Sequence, residues 1–274
     1  MSARLGAVAV GHPFPSLLVA LAVGGLVLIE GGDGARALLL TLGMVGFQVS
    51  IGATNDVVDR DRDAIAKPWK PLPAGRVSAS AARWIALGAY AMGAALSAFA
   101  GLVPLGVGLA GHGLGIAYDL RLKRAGWGWL AFALALPLVP IYAWTGAGAG
   151  LPPRLGALTV LGALAGLQLA LANELVDLEA DAVASGRGLA VRLGRRRATT
   201  TMVLTAAAVL SVAVLTFSDA ASAASSAMVA AIGATAVGVA ASTRGAPRWR
   251  WLGWQAQALG VALLALAWIS AARV

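Results

Sequence analysis

Acidic side chains with a regular spacing follow a long apolar run near residue 54. The sequence there reads Asn55-Asp56-x-x-Asp59-x-x-x-Asp63. In a helix, Asp56, Asp59 and Asp63 stand at i, i+3 and i+7, and so they share one face. Asn55 joins that face because it lies four residues before Asp59. Carboxylates held this close repel one another unless a cation neutralises them, and oxygen-only ligands favour Mg²⁺. The window therefore predicts a magnesium site.

The same spacing occurs a second time in the chain. Asn173-Glu174-x-x-Asp177-x-x-x-Asp181 also ends a long apolar run. The two windows together hold eight of the twelve acidic residues. A solvated helix end with loop charges explains one such pattern as well as a ligand site does. The duplicated spacing favours a second cation site.

The elements that must position these acids are long and apolar. The 274 residues are 59% hydrophobic and only 12% charged, with a mean hydropathy of +0.81; this composition is typical of membrane proteins. The chain has no cysteine, which excludes disulfides, thiolate metal sites and a thiol nucleophile. No convincing cleavage site follows the first apolar run, so we expect it to be retained as a helix. We expect residues 1–274 to form a single polytopic domain.

Glycine, proline and charged residues divide the chain into apolar segments. A spanning helix needs about 20 predominantly apolar residues, and the divisions predict an all-α fold with nine transmembrane helices. The predicted segments are 14–29, 37–54, 82–99, 101–118, 127–147, 155–175, 199–217, 222–241 and 251–271. The third and fourth meet at Gly101 with no charge between them, and we expect Pro104 to supply the break. Eight spans is the alternative.

The basic residues predict the orientation of these helices. Short cytoplasmic loops are enriched in Lys and Arg. With the amino terminus inside, all of the 21 Lys and Arg residues except Arg36, Arg154 and Arg273 fall on one side. We therefore attribute the net charge of +9 to membrane topology and expect no nucleic-acid partner. Both acidic windows then lie at cytoplasmic helix ends, where they can face each other.

These features together suit one chemical class of ligand. Carboxylate clusters with a basic rim, above a cavity walled by apolar helices, fit a molecule with a polyanionic head and an apolar tail. A prenyl diphosphate is such a molecule. The 35 glycines permit close helix packing and also leave lateral space for an isoprenoid chain, and we attribute most of them to packing.

Three ordered motifs resemble those of the UbiA superfamily of intramembrane prenyltransferases. The first is the segment from Asn55 to Ile65 with the Lys-Pro-Trp-Lys-Pro-Leu-Pro-Ala-Gly that follows it. The last is Glu174-Leu-Val-Asp-Leu-Glu-Ala-Asp with a downstream Val-Arg-Leu-Gly. Between them, Tyr118-Asp-Leu-Arg-Leu-Lys-Arg is similar to the tyrosine and lysine loop of the family. The resemblance spans about residues 12–197 by motif and the whole chain by helix count.

The resemblance implies nine transmembrane helices around a central cavity, and two Mg²⁺ ions that bridge the acidic motifs to the diphosphate of an allylic donor. For one ion, the resemblance implies the ligands Asn55, Asp59 and Asp63, with Asp56 close by. For the other ion, it implies the ligands Asp177 and Asp181, with Glu174. The residues that it places at the substrate are Asn55, Lys67, Lys70, Tyr118, Lys123, Arg124 and Asn173. Those to which we assign catalysis are Asp56, Asp59, Asp63, Lys123, Asp177 and Asp181.

Some positions depart from the family pattern or have two interpretations. Glu174 stands where Asp is usual, and Lys70 replaces an Arg, which keeps the charge but loses the bidentate fork. Asp119 could extend the metal site, act as a base or pair with a neighbouring basic residue. His112 and, further along, Gln168 could orient an acceptor, although interhelical hydrogen bonds are favoured. His12 and the tryptophans near residues 127 and 250 are assigned to the membrane interface.

The sequence therefore predicts an integral enzyme of the cell (inner) membrane, with its active site facing the cytoplasm. Its reaction would be the Mg²⁺-dependent transfer of a prenyl group from an allylic diphosphate to a lipophilic acceptor, for which an aromatic, quinone-type precursor is the base-rate choice. A terpene cyclase, in which no acceptor enters, is the alternative from the same site. A transporter is the alternative from another class, but the sequence lacks the midplane charges and inverted repeats of transporters.

Overall fold

The structure is a computed structural model that describes residues 6, 9–152, 155–183, 186–216 and 222–271. Every regular element in these ranges is helical, which confirms the all-α prediction. The contacts divide the chain into two compact units. The first unit comprises the chain up to Leu120 together with Ile141–Ala149, and the second comprises Arg121–Pro140 and the chain from Gly150 onwards. The prediction of a single domain stays a prediction.

The helices up to residue 125 include the one that carries the first acidic motif. They are α1 (Pro13–Ile29), α2 (Gly34–Val58), α3 (Arg60–Ala66), α4 (Ala79–Ala100), α5 (Leu102–Ala117), a π-helical turn (Tyr118–Leu122) and α6 (Lys123–Ala125). The remaining helices include the one that carries the second motif. They are α7 (Gly128–Ala135), α8 (Leu138–Ala147), α9 (Leu155–Val176), α10 (Leu178–Val183), α11 (Leu189–Thr216), α12 (Ser222–Ser242) and α13 (Pro247–Ala271).

Six helical stretches of the described chain are long and apolar enough to cross a membrane. They are Gly34–Val58, Gly128–Ala147, Leu155–Val176, Leu189–Thr216, Ala224–Ser242 and Pro247–Ala271. The predicted segments 14–29, 82–99 and 101–118 lie on α1, α4 and α5, which are shorter or less apolar than these six. Nine spans and the central cavity therefore stay predictions.

Two predicted helix boundaries differ from the structure. The break after α4 is made by Gly101, whose φ of 140° is open to glycine alone. Pro104 lies in the first turn of α5, where its missing N–H would have no intrahelical partner. The predicted segment 127–147 contains a turn at 136–137 between α7 and α8, because Pro137 cannot donate the hydrogen bond that would continue the helix.

Small residues bring α2 close to its neighbour α4. A Cβ atom added to Gly46 would lie 2.6 Å from the carbonyl oxygen of Ala89, and one added to Gly93 would lie 2.9 Å from the ring of Phe47. Larger side chains at these two glycines would force the backbones apart. Glycine packing of this kind is a general device for helix association in membranes, and it fixes the helix that ends in the first acidic motif.

Buried polar side chains join helices within each unit. In the second unit, Gln168 on α9 is completely buried and donates a 2.9 Å hydrogen bond to Gln257 on α13. In the first unit, the hydroxyls of Ser97 and Tyr142 lie 2.8 Å apart. The interhelical role that the sequence favours for Gln168 is therefore the one that the structure shows.

Candidate active site

The first acidic motif lies where α2 passes into α3. Asp59 sits at the junction with φ −91° and ψ 3°, and it donates its backbone N–H to the Asn55 carbonyl at 2.9 Å. The Asp63 N–H donates to the Asp59 carbonyl at 2.8 Å, so helical hydrogen bonding continues through the junction. Asp56, Asp59 and Asp63 are 3%, 5% and 2% exposed, whereas the Asp61 side chain is fully exposed. The three aspartates of the predicted spacing are thus buried, whereas the aspartate outside that spacing faces solvent.

Lys70 binds two of these carboxylates at once. Its ammonium group donates to Asp56 Oδ1 at 2.9 Å and to Asp63 Oδ2 at 2.7 Å, and its side chain is 20% exposed. Burial lowers the pKa of Lys70, but the charges and hydrogen bonds of Asp56 and Asp63 outweigh burial and hold the pKa above its usual value. The sequence predicts that Lys70 binds a phosphate. In the structure its ammonium group is already bound to the carboxylates of Asp56 and Asp63.

His12 is a neighbour of this site that the sequence did not predict. Its Nε2 atom lies 3.1 Å from Asp56 Oδ1, and because an ionised carboxylate can only accept, the ring nitrogen donates. His12 precedes α1 at a positive φ of 48°. The assignment of His12 to the membrane interface missed this contact, since 44 residues separate the two partners and no local spacing links them.

Asp119 provides a fourth buried carboxylate in the first unit. It is 2% exposed and lies in the π-helical turn after α5. Asn55 Nδ2 donates to Asp119 Oδ1 at 2.7 Å and reaches Asp59 Oδ2 at 3.5 Å. The sequence left three roles open for Asp119, and the structure adds a hydrogen bond to a predicted metal ligand.

A polar and aromatic cluster lies one to two turns before the first motif along α2. His112 Nε2 and the Ser50 hydroxyl lie 3.0 Å apart and join α5 to α2. The ring centroid of His112 is 4.9 Å from that of Tyr90 and 5.6 Å from that of Phe47. This arrangement fits the interhelical role favoured for His112.

The second acidic motif repeats the backbone pattern of the first in the second unit. The α9 helix ends at Val176, and the chain bends at Asp177 before α10 begins. The Asp181 N–H donates to the Asp177 carbonyl at 2.9 Å, as in the first motif. The side chains of Asn173, Glu174, Asp177 and Asp181 are half-buried. The duplicated sequence spacing therefore corresponds to a duplicated helix junction.

Glu174 is hydrogen-bonded to the start of α11. Its Oε2 atom accepts the backbone N–H of Ala190 at 2.7 Å, so it satisfies one of the donors left open at a helix start. A Cβ atom on Gly188 would lie 2.9 Å from the same oxygen, and glycine there lets the segment approach the carboxylate. Lys123 and Asp181 lie within electrostatic range of Glu174. Glu174, which departs from the family pattern, thus lies directly against Gly188.

A buried arginine fixes the short helix of the second motif. Arg250 on α13 is 1% exposed, and its guanidinium donates to both carboxylate oxygens of Glu179 on α10, at 2.9 Å and 2.5 Å. The hydrogen bond with Arg250 lowers the pKa of Glu179. The sequence counted Arg250 only among the cytoplasmic basic residues, because a partner 71 positions away leaves no local pattern.

The remaining predicted substrate residues differ in exposure. Lys67, Tyr118 and Lys123 are half-buried, and Arg124 is exposed. Within the first unit the structure brings Lys70 to the predicted ligand Asp63 and to Asp56, which was predicted to lie close by. Within the second unit it brings Lys123 near Glu174.

The donor chemistry of the first motif fits Mg²⁺. In the described ranges, no group of three or more His, Asp or Glu side chains already converges as a formed metal site. The motif nevertheless supplies buried carboxylates and one carboxamide, which are the hard oxygen ligands that Mg²⁺ prefers. The contacts of Lys70 show that these carboxylates bind a cation. The single positive charge of Lys70 does not balance the three negative charges of Asp56, Asp59 and Asp63.

Comparison with known proteins agrees with this architecture. The UbiA prenyltransferase family profile matches residues 14–259. The chain is 31% identical over 179 residues to digeranylgeranylglyceryl phosphate synthase of Pyrococcus abyssi, covering 64% of each protein. It is 31% identical over 155 residues to chloroplastic chlorophyll synthase of Avena sativa, covering 53% of this chain and 41% of that protein. The chain thus spans less than two thirds of these relatives.

A solved structure shares the fold. The structure of a UbiA homologue from Archaeoglobus fulgidus bound to GPP and Mg²⁺ aligns with a TM-score of 0.72 at 16% identity, over 94% of this chain and 99% of that one. At this identity the likeness concerns the fold alone. The family profile, however, covers most of the chain and includes both acidic motifs. The chain belongs to the UbiA prenyltransferase family.

Proposed function

We propose that this protein is an integral membrane enzyme that transfers a prenyl group from an allylic prenyl diphosphate to a lipophilic acceptor in a Mg²⁺-dependent reaction. The observation that carries the proposal is the buried carboxylate face of Asp56, Asp59 and Asp63 at the end of an apolar span. The A. fulgidus homologue bound to GPP and Mg²⁺ supports the donor class and the metal.

We propose that two Mg²⁺ ions bind, one at each acidic motif. The residues that would hold them are Asn55, Asp59 and Asp63, with Asp56 adjacent, and Asp177 and Asp181. One oxygen of Glu174 already accepts a hydrogen bond from the backbone N–H of Ala190. We therefore propose that Glu174 holds the start of α11 and that only its other carboxylate oxygen would contact metal. Bound Mg²⁺ stabilises the negative charge that develops on the departing diphosphate.

The basic residues of the chain would bind the donor's phosphates. We assign this role to Lys67, Lys70, Lys123 and Arg124, with Tyr118 and Asn173 lining the substrate. Lys70 is placed for it, since its ammonium already lies at the carboxylates that the metal would neutralise. Once those carboxylates carry Mg²⁺, their attraction for Lys70 weakens and its donors become available to a phosphate oxygen.

The membrane arrangement that we propose has nine spans, with both motifs at cytoplasmic helix ends in the cell membrane. The acceptor is proposed only as a class. The relatives are named for digeranylgeranylglyceryl phosphate and for chlorophyll, which are different lipophilic products. The aromatic, quinone-type acceptor that the sequence suggested stays a hypothesis, because neither relative is named for such a product.

The test is release of diphosphate by the purified protein from allylic diphosphates of several chain lengths, with and without candidate acceptors. We expect release that depends on Mg²⁺ and an acceptor, together with a prenylated product. A cyclic hydrocarbon formed without acceptor would favour the cyclase, and passage of an intact solute across vesicles without release would favour a transporter.

A pair of aspartate variants assigns that activity to the proposed site. Asp59→Ala removes a buried carboxylate, and we expect it to abolish release. Asp61→Ala, two residues away and fully exposed, is the matched control and should retain activity. Full activity of Asp59→Ala would contradict the assignment of the site.

A further inference from the structure

A hydrogen bond joins Asn55 on α2 to Asp119 in the π-helical turn. Asn55 Nδ2 lies 2.7 Å from Asp119 Oδ1, and Asp119 is 2% exposed. The partners are separated by 64 positions, and both lie in the first unit. The contact is therefore a tertiary feature built by the packing of α5 on α2.

Glycine packing one helical turn earlier places the two residues within reach of each other. Gly115 stands four residues before Asp119, and Ile51 stands four before Asn55. A Cβ atom on Gly115 would lie 2.4 Å from Ile51 Cδ1, so a larger residue at Gly115 would displace the Ile51 side chain that packs there. The π-helical turn that follows adds a residue to the local turn, a feature found at functional sites.

The hydrogen bond determines which atom of Asn55 can meet a cation. A carboxylate only accepts hydrogen bonds, so the side of the carboxamide that faces Asp119 must be the NH₂ group. The same group reaches Asp59 Oδ2 at 3.5 Å. With Nδ2 directed to two carboxylates, Oδ1 is the carboxamide atom left to bind a cation.

We infer that Asp119 is a positioning residue that orients the Asn55 carboxamide, so that its oxygen, and not its nitrogen, is presented to Mg²⁺. Metal ligands are commonly oriented by such outer partners, whose loss lowers metal affinity by about 10- to 100-fold. This inference rests on the proposed function, and it assigns Asp119 to the support of the site instead of to direct ligation or to proton transfer.

The test measures Mg²⁺ binding to the purified full chain by calorimetry, with no donor present, beside thermal unfolding in chelator. Asp119→Ala should weaken Mg²⁺ binding by about 10- to 100-fold. Asn55→Ala removes the oriented oxygen and should weaken it as well. If Asp119 acts only through Asn55, the double variant Asn55→Ala/Asp119→Ala should bind Mg²⁺ no more weakly than Asn55→Ala alone.

The outcomes separate this inference from the proposed function. Binding by Asp119→Ala that equals wild type, with Asp59→Ala impaired, would overturn the positioning role and leave the metal site standing. A double variant that binds clearly more weakly than Asn55→Ala would also overturn it, because Asp119 would then act as a ligand itself. Wild-type protein that binds no Mg²⁺ would overturn both. Asp119→Asn, which keeps an acceptor oxygen and the side-chain shape, serves as the folding control if Asp119→Ala does not fold.

Discussion

At the scale of single residues, Lys70 is the counter-ion of two buried acids of the first motif. Its ammonium contacts Asp56 and Asp63 at 2.9 Å and 2.7 Å. Without Lys70, these two buried carboxylates would repel each other and lose the hydrogen bonds that its ammonium donates. The protein in the absence of metal is therefore expected to depend on Lys70 for its stability.

A neutral replacement tests that dependence. Lys70→Met keeps an unbranched side chain of nearly the same length and removes the charge, and we expect it to lower the stability of the metal-free protein by about 2 kcal/mol, the size of a hydrogen bond to a charged group. Added Mg²⁺ should raise the unfolding temperature of the variant more than that of wild type, because the ion replaces the missing charge. Equal shifts would show that the metal binds elsewhere.

The sequence predicted the residues of the first motif better than their partners. Spacing alone placed Asp56, Asp59 and Asp63 on one face, since helical periodicity is local information. The contacts of His12 and Asp119 join residues 44 and 64 positions apart. Such pairs depend on how helices pack, and a single sequence does not reveal that packing.

At the scale of elements, the ion pair between α13 and α10 holds the short helix that contains Asp181. Arg250 is buried on α13, whereas the Glu179 side chain is 57% exposed, and the pair links α10 to α13. Removing the Glu179 carboxylate would leave the Arg250 guanidinium buried without a partner of opposite charge. An uncompensated buried charge is strongly destabilising. We therefore connect the geometry of the second motif to Arg250.

Charge reversal at this pair gives a second prediction. Glu179→Arg places two cations together and should lower both stability and diphosphate release. Glu179→Arg/Arg250→Glu restores opposite charges and should recover a measurable part of both. Thermal unfolding and the release assay check this, and Arg248→Glu on the same helix is the control for a general loss of positive charge. A double variant no better than Glu179→Arg would show that α10 is held by other contacts.

The helices themselves were largely predictable, and their details were not. Apolar length and the break at Gly101 identified α4 and α5 as separate helices, yet the break comes from backbone conformation and not from Pro104. The segment 199–217 was predicted to start a helix that in fact begins at Leu189, with a non-helical residue at Gly194. Hydropathy averages over such turns, whereas φ and ψ respond to single residues.

At the scale of the whole molecule, the distribution of Lys and Arg predicts that both acidic motifs lie on the cytoplasmic side. Because the chain has no cysteine, single cysteines can be introduced without background. We expect Asp61→Cys, Lys123→Cys and Arg195→Cys in intact cells to react with a membrane-impermeant maleimide only after the membrane is opened. Arg36→Cys on the opposite side is the matched control and should react from outside. Labelling of the first three in intact cells would reverse the proposed topology.

The central claim is that divalent metal, and not the basic side chains alone, binds the donor's diphosphate. In the proposed donor site, the basic residues Lys67, Lys70, Lys123 and Arg124 are outnumbered by the six acids Asp56, Asp59, Asp63, Glu174, Asp177 and Asp181, and the diphosphate would add further negative charge. Unbalanced charge in a partly buried site repels an anion strongly.

The most direct measurement is the affinity of the purified protein for a non-reactive allylic diphosphate analogue, in chelator and in Mg²⁺. We predict binding in Mg²⁺ that is at least about 100-fold tighter than in chelator, corresponding to roughly 3 kcal/mol, and loss of this difference in Asp59→Ala. Equal affinity in chelator and in Mg²⁺ would contradict the account.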